Sequence, residues 1–238
     1  EEASVPGHHL QVGYLGNYPS DRQTGWSDGL QGVAHDQSHW FFTQKKRIWK
    51  FPVTHDLNQS VKLGSLPAGV RSVGIPSSLS SQGYDHFGDL VAYRGYLFIP
   101  LEAEEGSNNE RPLLAVFRAD DLAFAGSAPL PAQTKAGWCA IHPATGILYT
   151  SNNHLSSIHK LESYQIDFST LRSNRIVLDY RGKKSLYDEA GSSIAMKRYL
   201  QGGEFSADGK YLFLINGRAS SETAASDGGI WVFNFENG

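Results

Sequence analysis

The chain has 238 residues, of which 40% are hydrophobic and 12% aromatic, with 25 glycines, one cysteine, one methionine and a formal net charge of −3. That length can bury a full core within one all-β domain, and rings set between glycine-rich turns suit a pleated architecture. Cys139 alone excludes an internal disulfide. No apolar run reaches the ~18 residues of a spanning helix, and the only basic runs, Lys45-Lys46-Arg47 and Lys183-Lys184, read as solvated strand ends or loops rather than a nucleic-acid footprint.

In chain order, the opening EEASVPGHH carries no charged and apolar leader pattern and reads as a processed end. Leu10 to Leu15 has the look of a single strand. A repeating unit follows, best preserved in Gln201 to Asn216, QGGEFSADGKYLFLIN: a short strand, a tight turn carrying Gly209, and a continuous apolar strand. Its first copy is Gly32 to His35 with Trp40 to Thr43. The second pairs Gly88 to Val91 with Tyr96 to Ile99, and the third pairs Cys139 to His142 with Ile147 to Thr150. The fourth is Gly203 to Ser206 with Tyr211 to Leu214. Third strands are expected at Ile48 to Phe51, Leu114 to Phe117, Ser163 to Ile166 and Ile230 to Phe233. Fourth strands are expected at Val61 to Leu66, Ala123 to Ala128 and Arg175 to Tyr180.

Four strands per unit predict an all-β β-propeller of four blades, closed by the N-terminal strand as the missing fourth strand of the last unit. The blades run over 30–67, 86–131, 137–180, and 200–238 plus 9–16, forming one domain. A five-bladed protein or a truncated larger propeller would carry the same internal pattern. The segment SADGKYLFLIN followed by GGIWVFNF resembles the repeat of lactonase and surface-layer type propellers, and the blade count is similar to that of hemopexin-like propellers. The first resemblance covers about one blade and implies a metal-dependent hydrolase or lactonase.

Aligning the copies puts Val33, Asp89, Ala140 and Glu204 at one equivalent position of the inner strands, seven residues before each apolar strand. In a ring of four, Asp89 and Glu204 then face each other across the axis. Two converging carboxylates repel and raise each other's pKa unless a cation lies between them, which makes them candidate ligands for Ca²⁺. The competing expectation is that an acid at this point accepts hydrogen bonds from backbone N–H groups of another blade. His86, near the mouth of the same strand, is a candidate ligand for a softer metal or a base. Trp26, Tyr84 and Tyr187, with His86, are candidate ligand-binding residues, since rings beside polar groups form saccharide surfaces. No Gly-x-Ser-x-Gly elbow occurs, and His35 and His39 fall on strand and turn, which removes zincin geometry.

These residues predict a secreted or cell-surface ligand-binding propeller that takes a carbohydrate or other small polar ligand, with a channel cation. The alternatives are a metal-dependent hydrolase using Asp89, Glu204 and His86, and a protein-interaction scaffold. No nucleic acid and no membrane insertion are expected.

Overall fold

The computed structural model describes residues 13–16, 25–103, 111–152, 157–158, 160–197, 200–217 and 229–235. The protein is an all-β propeller with four blades in a ring. Blade 1 contains β1 (Leu30–His35), β2 (His39–Gln44), β3 (Arg47–Pro52) and β4 (Arg71–Gly74), each antiparallel to the next. A one-turn helix, α1 (Ser77–Ser80), leads to blade 2. There β5 (Tyr84–Phe87) and β6 (Val91–Tyr93) both pair with β7 (Tyr96–Ala103), which continues to β8 (Leu113–Arg118) and β9 (Phe124–Pro129). Blade 3 is β10 (Cys139–Ile141), β11 (Ile147–Thr150), β13 (Lys160–Ile166) and β14 (Leu178–Ser185). A small ribbon beside it joins β12 (Ser157–Ile158) to β15 (Met196–Lys197). Blade 4 is β16 (Leu200–Phe205), β17 (Tyr211–Asn216) and β18 (Gly229–Asn234).

Each second strand follows its turn because the run of large apolar side chains is buried between blades. Phe41, Leu97, Leu148 and Leu212 are all buried, and the two faces of a blade feed separate clusters. Phe87, Leu97, Ile99 and Phe117 fill the joint between blades 1 and 2, and Phe98, Val116, Leu148 and Tyr164 fill the joint between blades 2 and 3. Trp138, Leu161, Leu212 and Leu214 fill the joint between blades 3 and 4.

Three elements differ from expectation. The fourth strand of blade 3 runs over Leu178–Ser185 rather than Arg175 to Tyr180, so that it pairs along the whole of Lys160–Ile166. The fourth strand of blade 1 is Arg71–Gly74, whereas Val61 to Leu66 forms a tight turn with a single bridge from Lys62 to Ser65. Gly64 sits there at φ +90°, so the alternating pattern belongs to a loop pinned by Val61 in the core. The inner strand of blade 2 breaks at 88–90, where Gly88 N–H donates to Pro100 and Asp89 N–H donates to Gly137 of the next blade. Of the expected N-terminal strand, residues 9–12 lie outside the described residues, and 13–16 are exposed and do not form a strand. The acidic loop 104–110 and the link 218–228 also lie outside them.

The inner strands approach the axis so closely that only glycine fits at several points. A Cβ on Gly203 would lie 2.3 Å from the Trp138 ring, and one on Gly88 would lie 2.4 Å from the Gly137 carbonyl oxygen. Trp138 cannot retreat, because it is fully buried and its Nε1 donates to Ser151 Oγ at 2.9 Å. Gly203→Ala is therefore expected to cost about 3 kcal/mol or more, on the order of 10 °C in melting temperature, in a thermal denaturation comparison with wild type.

Candidate functional site

Asp89 lies in the break of the blade 2 inner strand and reaches every other blade. Its Oδ1 accepts from Leu90 N–H at 2.9 Å, its Oδ2 accepts from Gly203 N–H of blade 4 at 3.3 Å, and Val33 N–H of blade 1 also donates to the carboxyl. Its own N–H donates to Gly137 O at the start of blade 3, at 2.8 Å. A Cβ on Gly32 would fall 2.5 Å from the Asp89 Cα, so blade 1 is pressed against it. This is the bonding expected of an acid that serves backbone donors of another blade.

Burial raises the Asp89 carboxyl to about 8. The N–H donors from Gly203, Leu90 and Val33 pull it back only in part, and the nearby Glu204 charge adds to the rise. Glu204 is the second carboxylate of the expected axial pair. It is also raised by the protein mass around it, although its side chain keeps contact with water, and it accepts from Phe205 N–H at 3.1 Å with His35 nearby. Cys139, against the same centre, is fully buried and donates to Phe98 O; burial drives its thiol far above the ordinary range, so it is inert packing. Among the described residues, no group of three or more His, Cys, Asp or Glu is arranged to hold a metal ion.

The expected ligand-binding residues are not brought together. Trp26 is fully buried in the outer core of blade 1, with ring centroids 4.9 Å from Phe42 and 4.8 Å from Phe51. Tyr84 is buried, and its hydroxyl donates to Arg111 O at 3.1 Å. His86 is half-buried at the joint of blades 1 and 2. Gln31 donates through Nε2 to Gly29 O, which turns its Oε1 toward His86 Nε2 at 3.2 Å and makes that nitrogen the protonated one. Burial lowers the His86 pKa, which favours the neutral ring. Tyr187 is 48% exposed in a turn closed by a bridge to Ser193.

The sequence reading missed a cleft of about 280 Å³ at the joint of blades 2 and 3. Pro129 and Pro131 form one side, and Tyr164, Arg175 and Tyr180 the other. Tyr164 and Tyr180 are cross-strand partners with ring centroids 5.3 Å apart at 53°. Tyr180 donates to Glu162 Oε2 at 2.7 Å; that bond and burial push its phenol up to about 12. Glu162 is itself buried, with Lys183 Nζ 3.3 Å from Oε1. Arg175 has no carboxylate partner among the described residues. A bulge at Gly126, φ +134°, lets the 174–176 segment close on blade 2; a Cβ there would meet Asn174 O at 3.0 Å. The sequence signal was a tyrosine on each of two strands already assigned, but their pairing depends on a register shift between Ser163 and Tyr164.

No family model matches the chain, and no curated protein does. Solved structures similar to it are propellers. A TolB-like protein from Agrobacterium tumefaciens shares 10% identity with a TM-score of 0.48, covering 87% of this chain and 58% of that one. The WD40 repeats of RRP9 share 11% at 0.44, covering 89% and 68%. A 6-phosphogluconolactonase-like protein from Bacteroides fragilis shares 16% at 0.43, covering 79% and 47%. The chain thus spans about half to two thirds of the length of these propellers.

The Asp89 carboxyl gives a pH signature with a definite sign. The folded chain keeps its proton up to about pH 8, whereas the unfolded chain releases it near 3.8. Between those values the folded state binds more protons, so this contribution to stability is full below ~4 and is lost as pH rises to ~8. Relative to Asp89→Asn, the wild-type melting temperature should fall steadily across that window and level off above it. Since backbone N–H groups already occupy the carboxyl, EDTA should leave the wild-type melting curve in place; a fall of several degrees would instead restore the channel Ca²⁺.

Proposed function

We propose that this chain is a ligand-binding propeller that holds a saccharide in the cleft between blades 2 and 3. The observation that carries the reading is the Tyr164 and Tyr180 pair beside Arg175, which has no carboxylate partner among the described residues. Tyr180 is 41% exposed and offers a ring face for the apolar side of a sugar, while its hydroxyl is held by Glu162 and cannot swing away. Arg175 supplies forked donors for hydroxyl or acid groups. Pro129 and Pro131 give a rigid opposite wall. The stacking role expected of Trp26 and Tyr84 passes to Tyr180, because those two rings present no free face.

The test is a glycan array of neutral and acidic saccharides, followed by titration of the best-retained glycan. Tyr180→Ala and Arg175→Gln should each weaken binding by about tenfold or more, the scale of one lost anchor. Tyr180→Phe, which keeps the ring, should bind within about threefold of wild type. Retention of no glycan, or equal binding by the Ala and Gln variants, would contradict the reading.

A second reading, a protein-interaction scaffold, rests on blade 4. Among the described residues β18 pairs on one side only, and Ile230, Trp231 and Val232 are exposed along it. An open apolar edge of this kind accepts an added strand.

A further inference from the structure

We infer that Asp56-Leu57-Asn58-Gln59-Ser60, on the blade 1 link between β3 and β4, is an acceptor for N-linked glycosylation, with Asn58 taking an oligosaccharide from a polyprenyl pyrophosphate carrier. Asn58-Gln59-Ser60 is the one Asn-x-Ser/Thr triplet in the sequence, and its middle residue is not proline. A bare triplet is a weak signal, because it arises by chance. Here an acid also stands two residues ahead of the asparagine, the extended pattern that some oligosaccharyltransferases demand when they act on folded chains. Asp and Glu are 24 of 238 residues, so requiring one at that position makes a chance match about tenfold rarer.

The fold presents this pattern to solvent. The link is pinned ahead of it, where Val53 N–H donates to Ser38 O at 2.9 Å and the His55 ring packs on Phe51 with centroids 5.1 Å apart. It is pinned behind it by Val61, which is buried in the same cluster as Phe51. Between these anchors Asp56, Asn58, Gln59 and Ser60 are all exposed, while Leu57 is half-buried against the cluster. The apolar member of the five therefore faces the protein and the four polar members face water. Two short-range bonds shape the turn: Asp56 Oδ1 accepts from Asn58 N–H at 2.9 Å, and Asp56 O accepts from Gln59 N–H at 3.0 Å. The β3 to β4 ladder joins 47–50 to 71–74 and includes none of these residues. A transferase can thus draw the segment into its groove by opening one turn rather than a sheet.

The chemistry needs no group from the rest of the chain. Asn58 Nδ2 attacks the anomeric carbon of the first sugar, and the C–N bond forms as the C–O bond to the pyrophosphate breaks. The pyrophosphate leaves with the electron pair, and the amide nitrogen releases one proton. The Ser60 hydroxyl is the group that the transferase grips to aim the amide, and the Asp56 carboxylate offers a contact to a basic side chain of that enzyme. The product is a bulky, hydrated group on a surface link. The site shares no residue with the cleft between blades 2 and 3 and does not rest on its occupant.

Incubating the folded chain with an oligosaccharyltransferase that requires an acid at that position, together with its lipid-linked oligosaccharide, tests the assignment by intact mass and peptide mapping. One glycan is expected, on Asn58. Asn58→Gln, Ser60→Ala and Asp56→Ala should each abolish the mass gain, and Ser60→Thr should keep it. All four variants should melt within about 2 °C of wild type, since the changes lie on the surface. No mass gain in the folded wild type, a gain only after the chain is unfolded, or a gain that survives in Asn58→Gln or Asp56→Ala would overturn the proposal.

Discussion

The ring depends on one buried carboxyl. Asp89 joins all four blades through short links: its own strand through Leu90, blade 1 through Val33, blade 4 through Gly203, and blade 3 through the Gly137 carbonyl. A buried acid left without donors would be among the costliest groups a core can hold, so the arrangement works only because three backbone N–H groups converge on it. The break in the blade 2 inner strand follows from this. A continuous strand would have spent the Asp89 N–H on its own ladder rather than on blade 3.

Packing at the axis imposes the complementary constraint. Four inner strands can meet around a single carboxyl only where side chains are absent, which explains Gly32, Gly88, Gly202 and Gly203 around Asp89 and Trp138. Further out the blades spread and large side chains fill the widening joints, with Phe87 and Phe117 in one and Phe98 and Tyr164 in the next. Lys50 shows how the joints are also stapled by polar groups: it is buried at the edge of blade 1 and donates from Nζ to Asp120 O of blade 2 at 2.6 Å. Around Asp89 the axis is closely packed among the described residues, and the cleft between blades 2 and 3 lies away from it.

Much of the fold was legible in the sequence, and for a local reason. The second strands begin at His39, Tyr96, Ile147 and Tyr211, within one residue of expectation, because an apolar run after a turn marks a buried strand, although in β17 only alternate side chains are fully buried and Ile215 is exposed. Val61 to Leu66 misled because a loop that anchors one valine in the core alternates like a strand. The expected equivalence of Asp89 and Glu204 does not hold in the pairing: Val33, Ala140 and Glu204 oppose Phe42, Tyr149 and Phe213, whereas Val91 opposes Phe98, because the blade 2 hairpin turn is two residues shorter than the count of seven assumed. That backbone donors could satisfy the acid was legible. Which of the expected partners Asp89 takes was not, since that depends on amide groups 114 residues away along the chain. Trp26 and Tyr84 looked free because they precede the repeats, yet Gly25 folds its neighbour into the blade 1 core. The Tyr164 and Tyr180 cleft was hidden by a bulge that no local pattern announces.

The molecule is a ring tied at its centre by the buried Asp89 carboxyl, which is held by donors from other blades. The most direct measurement is a ¹³C NMR titration of the Asp89 carboxyl carbon, with the Gly203 and Val33 amide shifts followed in the same samples. The account predicts a midpoint near 8 for the carbon and the same midpoint for both amides. A midpoint at or below the ordinary carboxylate value near 3.8, with amides that do not respond, would contradict it.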